Sequence, residues 1–207
     1  MMRLLLIAPW LLALSGAAQA NEARSQALFT NLCTACHGTQ AEGRKDLEAP
    51  MIAGLPAWYI EAQLTKFKSG ARGQHPLDIA GNRMRPMAAT IKSDEDVKGL
   101  AALVSKLPMV QNAPSVKGGS AIRGEERFKI CISCHGAEAL GNQALNAPPL
   151  AQQNDWYLLA QLKNFKAGLR GGDPAKDPIG ASMRAMSTTL DEQGQLDVVA
   201  YIKILAK

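Results

Sequence analysis

Apolar positions fall at three- and four-residue spacings in several stretches of the chain, separated by segments rich in glycine and proline, and nothing reads as a strand of any length. The pattern predicts an all-α protein. A short helix is expected over Glu22 to Leu32 and another over Gly124 to Ile130. Further helices follow Trp58 and Trp156 and stop near Gly70 and Gly168, where glycine tolerates the left-handed backbone of a helix end. Closing helices are expected over Asp94 to Leu107, behind Ser93 as N-cap, and over Glu192 to Leu205, behind Asp191. The Gly/Pro-rich stretches between these last pairs, which contain methionines, read as loops.

The helices are the same helices written twice. Cys33-Thr34-Ala35-Cys36-His37-Gly38 returns at an offset of 98 as Cys131-Ile132-Ser133-Cys134-His135-Gly136. Ala49-Pro50, Trp58-Tyr59, Ala62-Gln63-Leu64, Phe67-Lys68, Gly70 and Arg72 all recur at that offset. The offset becomes 99 for Gly81, Met84 and Met87, matched by Gly180, Met183 and Met186, and returns to 98 in the closing helices. A period this long signifies two tandem domains and not a solenoid. Pro108, Pro114 and Gly118-Gly119 give 109–120 the composition of a linker between domains at 21–108 and 121–207.

Residues 1–20 stand outside the repeat. Arg3, the apolar stretch from Leu4 to Leu14, and Ala18-Gln19-Ala20 have the order of a secretory signal cut after Ala20. The apolar stretch is about half the ~20 residues a bilayer span needs. The expectation is a soluble, exported protein in a periplasm-like compartment.

Cys-x-x-Cys-His is the attachment pattern of c-type haem. Two thiols three residues apart lie on one helical turn, where both can add to the vinyl groups of one porphyrin edge, and the histidine that follows faces the iron. Zinc, a redox dithiol and a structural disulfide are the rival readings. A zinc site would draw on both cysteine pairs together, and neither zinc nor a redox dithiol explains a histidine at the same place in both copies. Cys33, Cys36, Cys131 and Cys134 are therefore the expected haem thioethers of two covalent haem c groups, with His37 and His135 as iron ligands. His75, the one remaining histidine, reads as a surface loop residue. For the sixth ligand, thioether sulfur pairs with histidine in high-potential electron carriers. Met84 or Met87, and Met183 or Met186, are the candidates, and packing is the expected role of the other member of each pair.

On these motifs, together with the Pro-containing stretches Ala49-Pro50-Met51-Ile52 and Ala147-Pro148-Pro149-Leu150 and the Tyr-x-x-x-Gln-Leu helix, the mature chain resembles the dihaem class I cytochromes of the cytochrome c4 type. The resemblance implies a methionine ligand seven residues before an apolar helix-entry residue. That count selects Met84 before Ile91 and Met183 before Leu190, although Lys92 is an extra residue in the first copy. It also implies that the Pro50 and Pro148 carbonyls hold the imidazoles of His37 and His135, and that the domains form a pseudo-twofold pair. Arg72, Arg170, Trp58 and Trp156 are further candidates for contact with haem propionates.

Composition changes this picture little. The 207 residues are 47% hydrophobic but only 5% aromatic, as fits small domains whose largest apolar core element is a porphyrin. The net charge of +5 becomes +4 once Arg3 is removed, and four propionates would offset it, so the basic balance says little about partners. No aromatic platform for nucleic acid accompanies the lysines. With both axial positions filled, one-electron transfer is the chemistry left, carried from a quinol-oxidising complex towards a terminal oxidase, with peripheral contact at the membrane surface a further expectation. The alternative is the cytochrome subunit of a multi-subunit oxidoreductase such as a flavocytochrome c sulfide dehydrogenase, with a flavoprotein as partner. A haem peroxidase or gas sensor would need an open iron site.

Overall fold

A computed structural model describes residues 10–110 and 112–205; of the expected signal segment Met1 to Ala20, residues 1–9 lie outside the described residues. Among the described residues the chain is helical throughout, with two isolated β-bridges, Arg44–Ala49 and Asn142–Ala147, and no longer strand. The first repeat contains α1 (Trp10–Leu28), a π-helical turn (Phe29–Cys33), α2 (Thr34–His37), α3 (Ala57–Ser69), α4 (Ile79–Thr90) and α5 (Asp94–Ser105). The second contains α6 (Ala121–Phe128), α7 (Ile132–His135), α8 (Asp155–Lys166), α9 (Pro178–Thr188) and α10 (Glu192–Leu205). No helix among the described residues is long and apolar enough to cross a membrane.

Two of these helices, α4 and α9, occupy the stretches read from the sequence as methionine-bearing loops. Their glycines and prolines sit where a helix start accepts them. Asp78 and Asp177 cap the two starts, accepting from the Gly81 and Gly180 N–H groups at 3.0 and 2.8 Å. Pro178 takes the first helical position, where its missing N–H costs nothing. Pro86 does fall inside α4 and removes one backbone bond there. The first helix also differs from expectation: α1 begins upstream of Glu22, and its last turn widens into the π-turn that delivers Cys33.

In each repeat the entering helix crosses the closing one, α1 on α5 and α6 on α10. Glycine permits the approach, but from opposite helices. Gly99 of α5 faces the Ser25 hydroxyl, whereas Gly124 of α6 lies so close to α10 that a Cβ would stand 2.0 Å from the Asp197 carbonyl oxygen. An Arg–Asp pair spans each crossing: Arg24 with Asp96, and Arg123 with the fully buried Asp197 at 2.8 Å. The closing helices begin as expected, Ser93 accepting from Asp96 N–H at 3.0 Å and Asp191 from Gly194 N–H at 2.7 Å. Behind them lie two apolar clusters, one per repeat, around Phe29, Leu100 and Val104 and around Phe128, Val198 and Ile202. The connecting segment is tied back onto the second repeat, where buried Asp155 accepts from the backbone of Ser115 and Val116.

Candidate functional site

The geometry around each cysteine pair follows from three local constraints. The short helices α2 and α7 end at Gly38 and Gly136, whose positive φ turns the chain away directly after each histidine. The chain then folds back, and Gly43 and Gly141 make that return possible. A Cβ at Gly43 would lie 2.4 Å from Met51 N, and one at Gly141 2.6 Å from Pro149 N. The return brings the Pro50 carbonyl to 2.7 Å from His37 Nδ1, and the Pro148 carbonyl to 2.8 Å from His135 Nδ1. A carbonyl can only accept, so Nδ1 carries the proton and Nε2 keeps its lone pair. Burial pushes both imidazoles below the ordinary histidine pKa, with the proline carbonyls opposing it. Each histidine is thus held neutral, oriented, and able to bind a metal.

His37 opens into a cavity of about 320 Å³. Cys33, Cys36, Met84, Met87 and Arg72 line it with a mostly apolar wall that includes Leu64, Phe67 and Leu100. Met84 packs against the first apolar cluster and Met183 against the second, as do Cys33 and Cys131 respectively. Met87 and Met186 are 37% and 39% exposed. His75 is exposed and receives the Leu77 N–H, as a loop residue does.

The four cysteines are unpaired, and burial together with the neighbouring thiol pushes Cys33 and Cys131 up to about 11. Redox-active dithiols are shifted the other way. Among the described residues, no three His, Cys, Asp or Glu side chains are grouped as a metal site would require.

A lattice of polar side chains joins the two repeats and was only half visible in the sequence. Arg72 Nη1 donates to Gln63 of its own repeat at 2.8 Å, while Nη2 donates to Tyr157 and Gln161 of the other at 2.9 and 3.2 Å. Arg170 repeats the arrangement, with Gln161 at 2.7 Å and with Gln63 and Tyr59 across the interface at 2.9 and 3.4 Å. Burial would raise the Tyr157 hydroxyl, but the fields of Arg72 and Arg170 outweigh it, and its pKa lies below that of an ordinary phenol. Each guanidinium stacks 4.5 Å above a phenylalanine ring, Phe67 or Phe165. Tyr59, Gln63, Tyr157 and Gln161 were missed as site residues; their four-residue spacing on α3 and α8 was the available signal. Of the arginine and tryptophan candidates, Arg72 lines the cavity, while Trp58 stacks edge-on against Tyr59.

These surroundings fit a haem. The cavity wall is mostly apolar, and a thiol pair, an oriented imidazole and a thioether all line it. Arg72 Nε and Arg170 Nε are buried without a hydrogen-bond partner. Two buried guanidiniums that bond only to neutral side chains are costly unless an acidic group completes the site. A porphyrin's propionates are such groups.

The cytochrome c family model matches twice, over residues 22–108 and 121–206. The chain therefore belongs to the cytochrome c family, with two such domains in tandem. Among its relatives is the thiosulfate dehydrogenase electron acceptor of Stutzerimonas stutzeri (strain A1501), 35% identical over 82% of each chain. Among solved structures it is similar to reduced recombinant cytochrome c4 from Pseudomonas stutzeri, with a TM-score of 0.65, 26% identity, and coverage of 90% of this chain and 97% of that one. It is also similar to thiosulfate dehydrogenase (TsdBA) from Marichromatium purpuratum, with a TM-score of 0.72 and 29% identity. That match covers 87% of this chain but spans only 39% of the other. The chain is accordingly a dihaem cytochrome of the cytochrome c4 type, carrying two covalently bound haem c groups and acting in electron transfer.

Proposed function

We propose that this protein takes electrons from a thiosulfate dehydrogenase in the periplasm and passes them one at a time towards a terminal oxidase. Cys33 and Cys36, and Cys131 and Cys134, tether the two haems by thioethers. His37 and Met84 bind one iron, and His135 and Met183 the other. The observation that carries this reading is the pairing of an oriented, neutral imidazole with an inward-packed methionine in both repeats. With both axial positions taken by protein, iron has no vacancy for a substrate. The protein's contribution is then to hold, bury and tune the haems.

The donor is suggested by the relative named as a thiosulfate dehydrogenase electron acceptor, which favours that enzyme class over a flavoprotein. The domain limits in this reading are 21–108 and 121–207, with 109–120 between them, supported by the family-model matches over 22–108 and 121–206. Exposure of Gln19 to Arg24 on either side of Ala20, ahead of buried Ser25, supports cleavage after Ala20. Stopped-flow spectroscopy tests the function. Thiosulfate and a thiosulfate dehydrogenase should place two electrons on each chain, and membranes containing a terminal oxidase should remove them. Reduction by sulfide with a flavoprotein dehydrogenase, and none by thiosulfate, would overturn the choice of donor.

A further inference from the structure

The two repeats share one buried carboxylate but not its counter-charge. Asp78 and Asp177 hold the same place in the fold, each capping the helix that bears the candidate methionine ligand, and they are only 5% and 2% exposed. Asp78 lines the cavity that accepts the first haem. Asp177 is joined across the interface by Lys66 of α3, whose ammonium lies 2.7 Å from its Oδ1 with the side chain 23% exposed. By the pseudo-twofold relation the residue that would do this for Asp78 is the counterpart of Lys66. That residue is Asn164, and among the described residues Asp78 has no ion pair. The arginines do not explain the difference, since Arg72 and Arg170 occur in both repeats with matching contacts.

A fixed negative charge beside a haem stabilises the oxidised, more positive iron and lowers its reduction potential; a cation beside that charge cancels the effect. We propose that Lys66 is a positioning residue that sets the two haems apart in potential: by neutralising Asp177 it raises the C-terminal haem above the N-terminal one, so that a single electron resides in the C-terminal domain. This rests on the electron-carrier reading above. It adds a direction of internal flow, in which one electron leaves the N-terminal iron and reduces the C-terminal iron.

The test is a spectroelectrochemical titration of the full, haem-loaded protein. Each of its two one-electron potentials is assigned by which one falls in Met84→Ala or in Met183→Ala. In Lys66→Gln the C-terminal potential should fall, shifting the distribution of one electron between the haems by roughly tenfold (~59 mV), while the N-terminal potential moves much less. Lys66→Arg should retain the wild-type gap. Asn164→Lys, which offers Asp78 the missing cation, should narrow the gap from the other side. A gap unchanged in both Lys66→Gln and Asn164→Lys overturns the proposal, as does an equal shift of both potentials or a loss of melting temperature with the gap intact. If Lys66→Gln does not fold, Asn164→Lys decides the matter alone. A chain that does not titrate as two one-electron centres overturns the carrier reading, and the proposal with it.

Discussion

The two halves are nearly identical around the cysteine–histidine motifs and in the arginine lattice that joins them, and different in their other contacts with each other. The histidine–proline contacts differ by a tenth of an ångström, and the arginine–phenylalanine stacks do not differ at all. Outside that lattice the interface is not symmetric. Met51, beside the Pro50 that orients His37, has its N–H accepted by Asn154 at 2.6 Å and its carbonyl bonded by Gln153 at 3.0 Å. The equivalent positions in the first repeat are Leu55 and Pro56, whose side chains offer no hydrogen bond in return. The Lys66–Asp177 pair is likewise made in one direction only. The geometry around each motif is thus kept alike in the two repeats, while the Asn154, Gln153 and Lys66 contacts have no counterpart in the other half.

The largest expected effect comes from denying one half its haem. Replacing Cys33 and Cys36 by serine should leave the first repeat without fixed packing, because a domain of that size buries little surface without its cofactor. The mass should fall by one haem and the near-UV circular dichroism should weaken, while the second repeat keeps its own haem. Unchanged near-UV dichroism would show that the halves do not depend on haem. Next comes the choice of methionine. Met84→Ala and Met183→Ala should each abolish the sulfur–iron absorption band of their own repeat, and Met87→Ala and Met186→Ala should abolish neither. The reverse outcome would reassign the ligand.

Helix packing gives a smaller contrast. Alanine at Gly124 would drive a Cβ into the α10 backbone at Asp197 and should cost about 2 kcal/mol in urea unfolding. Alanine at Gly99 meets only the rotatable Ser25 hydroxyl, and its gain in helix propensity of up to ~1 kcal/mol should leave stability nearly unchanged. Equal costs would mean that the two crossings are alike after all. The smallest effect is in acid. The Arg24 guanidinium, aided by Ser93, holds Asp96 down at about 2, against the usual 3.8. Between these values the unfolded chain binds more protons than the folded one, so this contribution is complete above pH 3.8 and is lost as pH falls through about 2. Asp96→Asn should flatten that part of the urea midpoint against pH; an unaltered slope would locate the acid sensitivity elsewhere.

Much of this was legible in the residues alone. The 98-residue offset announced two domains, and Cys-x-x-Cys-His announced two haem c groups and an imidazole in a fixed local geometry. The closing helices could be read because Ser93 and Asp191 cap them. The methionine-bearing segments looked like loops because glycine and proline dominate them, although Asp78-x-x-Gly81 and Asp177-Pro178 were helix starts in plain view. Arg72 and Arg170 stood out as candidates, but their pairing with Tyr157, Gln161, Tyr59 and Gln63 could not be read, since the partners lie more than 80 residues apart and only docking of the halves brings them together. The π-turn at Phe29–Cys33 had no sequence signal at all.

With the proposed ligands in place both irons are closed by protein, and the molecule passes electrons and nothing else. Carbon monoxide added to the fully reduced, haem-loaded protein should then leave the spectra of both haems unchanged. Stoichiometric carbon monoxide binding at either iron would contradict it.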